Sequence, residues 1–152
     1  MPFEFSFVGL LFLIMLFVPN IAWSRNLPKD YEKFSKNENR ILLVLERIGQ
    51  VLVTVFSLFS GAVFSLNILF LVSLLLMIVY ELYWLRYMRG SKTMERMYAN
   101  FLMIPLPGAT LPVCAFILLG IYSNNIFLTV SSIILGIGHI GIHLMHFKEM
   151  KY

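Results

Sequence analysis

Cysteine is all but missing from this chain: Cys114 stands alone inside an apolar segment, so no intrachain disulfide can form and cysteine usage gives no clue to compartment. Charge is scarce too. Asp, Glu, Lys and Arg make up 13% of the residues against 59% hydrophobic ones. The mean hydropathy of +0.82 is far above that of a domain whose surface is wetted, which excludes a soluble globular fold. No dense run of Lys and Arg is present, so no nucleic acid partner is expected. The net charge of +4, from 12 basic against 8 acidic residues, reads instead as a signal of membrane topology. The first twenty-four residues hold no Lys or Arg, and the stretch Pro19 to Trp23 is a poor cleavage context, so the opening apolar segment is expected to stay in the mature protein.

Five apolar segments remain, at about 3–23, 41–64, 68–85, 100–122 and 126–147, each near the ~20 residues needed to cross hydrocarbon. They predict an all-α bundle of five transmembrane helices in a single integral membrane domain spanning 1–152. With the amino terminus outside and the carboxyl terminus in the cytoplasm, the loops 24–40 and 86–99 and the tail place all 12 Lys and Arg at the cytoplasmic side or its interface. A cell membrane is the expected location. Trp23, Tyr80, Tyr83, Trp84 and Tyr87 fall near the same boundary, as interfacial aromatics do.

Local signals refine this outline. Ser35 followed by Glu38 fits a capping box that would start a helix within the first basic loop, whose charges are read as solvated. Gly90 is expected to end the third crossing and Ser91 to cap the next helix. Ser65, Leu66 and Asn67 form a brief connection between the second and third crossings. Along the second, Glu46, Gln50, Thr54, Ser57 and Gly61 draw a polar and small stripe that is expected to face other helices. Pro105, Pro107, Gly108 and Pro112 interrupt the fourth, which is therefore expected to be kinked, or broken into an interfacial piece and a membrane piece.

All three histidines lie in one run, Gly136 to His146, reading GIGHIGIHLMH. At about 100° per residue, His139, His143 and His146 share roughly a 60° arc of one helix face. Counting about 1.5 Å per residue from the nearest charges puts Glu81 and His143 ~7 to 8 Å below the cytoplasmic boundary, with Glu46 at a similar level, His139 ~6 Å deeper and His146 at the surface. Ionisable groups at such depth face a bundle interior and pair. Glu81, His139 and His143 are therefore expected to form a cytosol-facing polar pocket that binds a divalent metal, Zn or Fe, or a small ligand, or that relays a proton. His146 is a further ligand candidate, and Glu46 and Gln50 are additional polar lining.

Several chemistries are excluded. The run also matches G-x-G-x-x-G, but a dinucleotide site needs a preceding strand, and these glycines lie inside an apolar helix where they permit close packing. A bis-histidine haem held by two helices of one chain has no second histidine-bearing segment, and the several histidine boxes of membrane desaturases are not present. Ser57, Ser60, Ser73, Ser131 and Ser132 carry no nucleophile-elbow motif. Three functions fit what is left: a pocket protein, with or without catalysis; an accessory subunit of a larger membrane complex or a homo-oligomer, acting by helix packing; and a small transporter using the broken fourth crossing. The bilayer is the one partner the composition dictates.

Overall fold

The computed structural model describes residues 4–151. Among the described residues the regular structure is helical: α1 (Phe7–Ser24), α2 (Tyr31–Ser35), α3 (Arg40–Leu58), α4 (Ile68–Met88), α5 (Met94–Tyr98), α6 (Pro107–Tyr122) and α7 (Ile126–Lys151). α1, α3, α4 and α7 are long and apolar enough to cross a membrane, and α6 is a shorter apolar helix. Large side chains such as Phe7, Ile41 and Ile68 are exposed on their outer faces, which hydrocarbon accommodates and water does not. The chain is a helical membrane protein.

The helix ends depart from the sequence reading at identifiable places. Asn39, not the Ser35–Glu38 box, starts α3: its side-chain oxygen accepts from the backbone N–H groups of Ile41 at 2.8 Å and Leu42 at 3.3 Å. Ser35 instead closes the short α2. α3 stops at Leu58, six residues before the expected end at 64, because Gly61 takes a left-handed φ of 65° and the chain runs extended to the Asn67 cap of α4. Ser6 N bonds Leu58 O at 2.8 Å and Ser6 Oγ bonds Ala62 O at 2.7 Å, so the segment before α1 occupies the carbonyls that this early stop leaves open. Thr93 rather than Ser91 caps α5, accepting from Arg96 N at 3.3 Å.

The proline-rich stretch breaks the fourth segment outright. α5 ends at Tyr98, and Leu102, Met103 and Leu106 all adopt positive φ before α6 begins. Pro107 occupies the first turn of α6, where a missing N–H costs nothing, and Pro112 lies within it. At the far end, α7 continues to Lys151, a full turn beyond the expected stop at 147.

Two tight pairings organise the bundle: α3 runs along α7 and α4 along α6. α6 and α7 join the pairs, and α1 leans more lightly on α3 and α4. Glycine sets the closeness of α3 and α7. A Cβ at Gly49 would sit 2.5 Å from Leu135 Cα, and one at Gly138 would sit 2.4 Å from Glu46 N and 2.6 Å from Leu42 O. The backbones therefore touch at Glu46, one residue from His139 in register. On the other pair, Tyr80, Tyr83, Trp84 and Tyr87 fill the space with rings, and Ser73 Oγ donates to Ala115 O at 2.7 Å.

Candidate functional site

At the end of the bundle where α1 and α4 finish and α3 and α6 begin, the helices enclose a cavity of about 300 Å³. Its apolar wall includes Leu16, Phe17, Trp23, Trp84 and Phe116, and its polar residues include Glu38, Glu46, Tyr98, His139 and His143. The polar groups arrive from four places in the chain: Glu38 from the turn before α3, Glu46 from α3, Tyr98 from α5 and the two imidazoles from α7.

Close contact across the α3–α7 seam brings His139 Nδ1 to 2.6 Å from Glu46 Oε1, the short distance of a charge-assisted hydrogen bond. The His139 and His143 rings meet edge to face, their centroids 4.5 Å apart. His143 Nδ1 lies 2.9 Å from the Tyr98 hydroxyl, and the same hydroxyl lies 3.2 Å from His146 Nδ1. His146 Nε2 is 3.1 Å from Glu38 Oε1, within ion-pair distance but not aligned as a hydrogen bond. Tyr31 and Phe34 of α2 set ring edges and faces against His146. One connected set thus runs Glu46, His139, His143, Tyr98, His146, Glu38.

Groups at the loop side of this set feel their burial. It pushes the Glu38 carboxyl above its ordinary value, with the Glu46 charge adding to the rise and Arg47 opposing it. Burial, then Glu38 and Glu46, raise the Tyr31 phenol to about 12. Burial likewise holds the Tyr98 phenol above its usual range, with smaller contributions from Tyr31, Tyr83 and Glu38, so its hydroxyl keeps its proton. Arg47, exposed at the cavity margin, donates to Gln50 Oε1 at 3.2 Å.

Of the residues that the sequence singles out, His139, His143, Glu46 and Gln50 line the cavity. The structure does not bring Glu81 there. Glu81 is absent from the cavity lining, and among the described residues it makes no hydrogen bond or ion pair with an imidazole; its Oε1 is buried without a partner on α4. His146, which counting from Lys148 puts at the level of the membrane surface, is 1% exposed, covered by Tyr31 and Phe34 of α2. Among the described residues no group of three or more His, Cys, Asp and Glu side chains is arranged to hold a metal ion.

Tyr98 and Glu38 are the members that sequence reasoning missed. Tyr98 lies in a five-residue helix inside a basic loop, where periodicity has no room to register, and Glu38 looks like any solvated loop charge. Comparison with protein-family models, with curated proteins and with solved structures finds no match for this chain.

Proposed function

We propose that this is a five-span protein of the cell membrane, amino terminus outside and carboxyl terminus cytoplasmic, whose cavity binds a small amphipathic molecule. The reading is carried by one observation: a chamber of about 300 Å³ with an aromatic and aliphatic wall and a convergent group of imidazoles, carboxylates and a phenol. Small-molecule sites combine these features, a mostly apolar lining and a few placed polar groups that fix orientation. Two carboxylates, Glu38 and Glu46, line the chamber against one guanidinium, Arg47, which favours a ligand whose polar end is basic. α6 is the fifth span in this reading: its 16 residues cover ~24 Å, and α5 with residues 99–106 completes the crossing at the basic side.

Octylamine and Zn(II), used as separate probes on the protein in lipid nanodiscs, test the proposal. Octylamine raises the Tm of the wild type, and Leu16→Trp, which pushes a larger ring into the chamber from the lightly packed α1, abolishes the rise. Failure of octylamine to stabilise the wild type, or an unchanged response in Leu16→Trp, overturns the reading. Stabilisation by Zn(II) alone replaces it with a metal centre. The topology is tested with a membrane-impermeant maleimide in a Cys114→Ser background: a cysteine at Leu66 is labelled from outside intact cells and one at Lys92 is not.

A further inference from the structure

The Tyr98 hydroxyl stands between two imidazole Nδ1 atoms, at 2.9 Å from that of His143 and 3.2 Å from that of His146. A hydroxyl has one proton, so it donates to one ring and accepts from the other. The two rings are therefore forced into opposite arrangements: one carries its proton on Nδ1 and the other has Nδ1 bare. Which is which depends on the far side of His146, where Nε2 lies 3.1 Å from Glu38 Oε1.

When Glu38 is ionised, its oxygen can only accept. His146 then holds its proton on Nε2 and Tyr98 donates to His146 Nδ1. His143 Nδ1–H donates to the Tyr98 oxygen, and His143 Nε2 is left as a lone pair. That ring lines the cavity, and among the described residues no hydrogen bond takes its Nε2. When Glu38 is protonated, every bond reverses: the carboxyl donates to His146 Nε2, His146 Nδ1–H to Tyr98, and Tyr98 to His143 Nδ1. His143 Nε2 then carries a proton.

We propose that Tyr98 and His146 form a proton path joining Glu38, at the basic end of the bundle, to the His143 ring in the cavity. The His143 Nε2 atom is a hydrogen-bond acceptor when Glu38 is ionised and a donor when Glu38 is protonated. The two arrangements differ by one proton. Starting from the protonated one, Glu38 gives its proton to His146 Nε2, His146 Nδ1 gives one to the Tyr98 oxygen, Tyr98 gives its own to His143 Nδ1, and His143 Nε2 releases one to a weakly basic group in the cavity. Four N–H or O–H bonds break and four form, and what remains is the ionised arrangement. Run backwards, the same steps take a proton from a bound ligand and release it at Glu38. The Glu38 to His146 contact lies at ion-pair distance without hydrogen-bond alignment, so this last transfer requires the Glu38 carboxyl to turn toward Nε2.

The groups facing Glu38 set where this reversal occurs. His146 meets it from α7 and Tyr31 lies beside it on α2. Glu46 and Arg47 act on it from α3, and Glu149 acts on His146 from the end of α7. Burial and Glu46 favour the protonated carboxyl and Arg47 the ionised one, so the reversal falls above the ordinary carboxylate range.

The proton path rests on the cavity reading only for the identity of the final proton acceptor, and its test needs no ligand. Protein with ¹⁵N-labelled histidine is studied by NMR in nanodiscs over a pH titration, with His143 assigned by the signals lost in His143→Asn. In the wild type the His143 proton sits on Nδ1 at high pH and moves to Nε2 as Glu38 is protonated. In Tyr98→Phe, which keeps the ring and removes the hydroxyl, His143 shows one arrangement across the same range. A wild-type His143 that keeps its proton on the same nitrogen throughout overturns the proposal, and so does a Tyr98→Phe protein that still switches. If Tyr98→Phe fails to fold, the wild-type titration decides alone.

Discussion

Two long apolar helices, α7 and α4, carry ionisable groups, with opposite results. On α7 each of the three histidines sets at least one ring nitrogen against Glu46, Tyr98 or Glu38. On α4 Glu81 has a buried oxygen that finds no hydrogen-bond partner among the described residues. The difference lies in the neighbouring backbone. Gly49 and Gly138 let α3 and α7 touch at Glu46, whereas α4 packs through the large rings of Tyr80, Tyr83, Trp84 and Tyr87, and among the described residues none hydrogen-bonds Glu81 Oε1. How closely two backbones approach decides which buried group finds a partner.

The strongest way to break this contrast is to separate the seam. Gly138→Leu puts a branched side chain where a single Cβ already lies 2.4 Å from Glu46 N, and the expected outcome is loss of folded protein, read as aggregation on size-exclusion chromatography. Gly138→Ala costs about 1–3 kcal/mol in reversible unfolding. Gly141→Ala costs far less, because its Cβ meets only the flexible end of Leu42 at 3.0 Å. Equal losses at 138 and 141 would remove the seam from the account.

The partners themselves come next. Glu46→Ala strands the His139 Nδ1–H and lowers stability by about 1–3 kcal/mol, whereas Glu81→Met, which replaces an unpartnered acceptor with a group of similar length, is neutral or stabilising. A loss at Glu81 matching that at Glu46 would mean that α4 holds a partnered carboxylate after all. Tyr98→Phe removes one hydroxyl from a shared contact and costs about 1 kcal/mol by the same measurement.

The smallest effect is a dependence on pH. Because burial raises the Glu38 carboxyl above its unfolded value, the folded state favours its protonated form. That contribution is fully present below the unfolded value and is lost as pH rises through the higher folded one. Relative to Glu38→Gln, the wild type therefore loses stability as pH climbs out of the acid range. A difference that is flat, or that grows with pH, contradicts the burial of Glu38.

The helical membrane class was legible in composition alone, since four of the apolar segments are long enough to span. So was the shared face of the histidines, because a 3.6-residue period is a local property. Where α3 ends was not. Gly61 and the bonds from Ser6 stop it early, and the latter is a contact between residues far apart in the chain. Choosing Glu81 over Glu46 failed for a related reason. Counting from the nearest charge gives a residue's level but not which way its helix turns, and it was the glycines, read only as packing residues, that marked the side of α7 where a carboxylate waits. That α2 covers His146 was not legible either, because it is a tertiary contact with no periodic trace.

Cysteine cross-linking in native membranes tests the pairing most directly, because replacing Cys114 with serine leaves a chain free of other thiols. The account predicts that Glu46→Cys with His139→Cys forms an intramolecular disulfide on mild oxidation and that Glu81→Cys with His139→Cys does not. Cross-linking of the 81–139 pair, with the 46–139 pair remaining reduced, would contradict it.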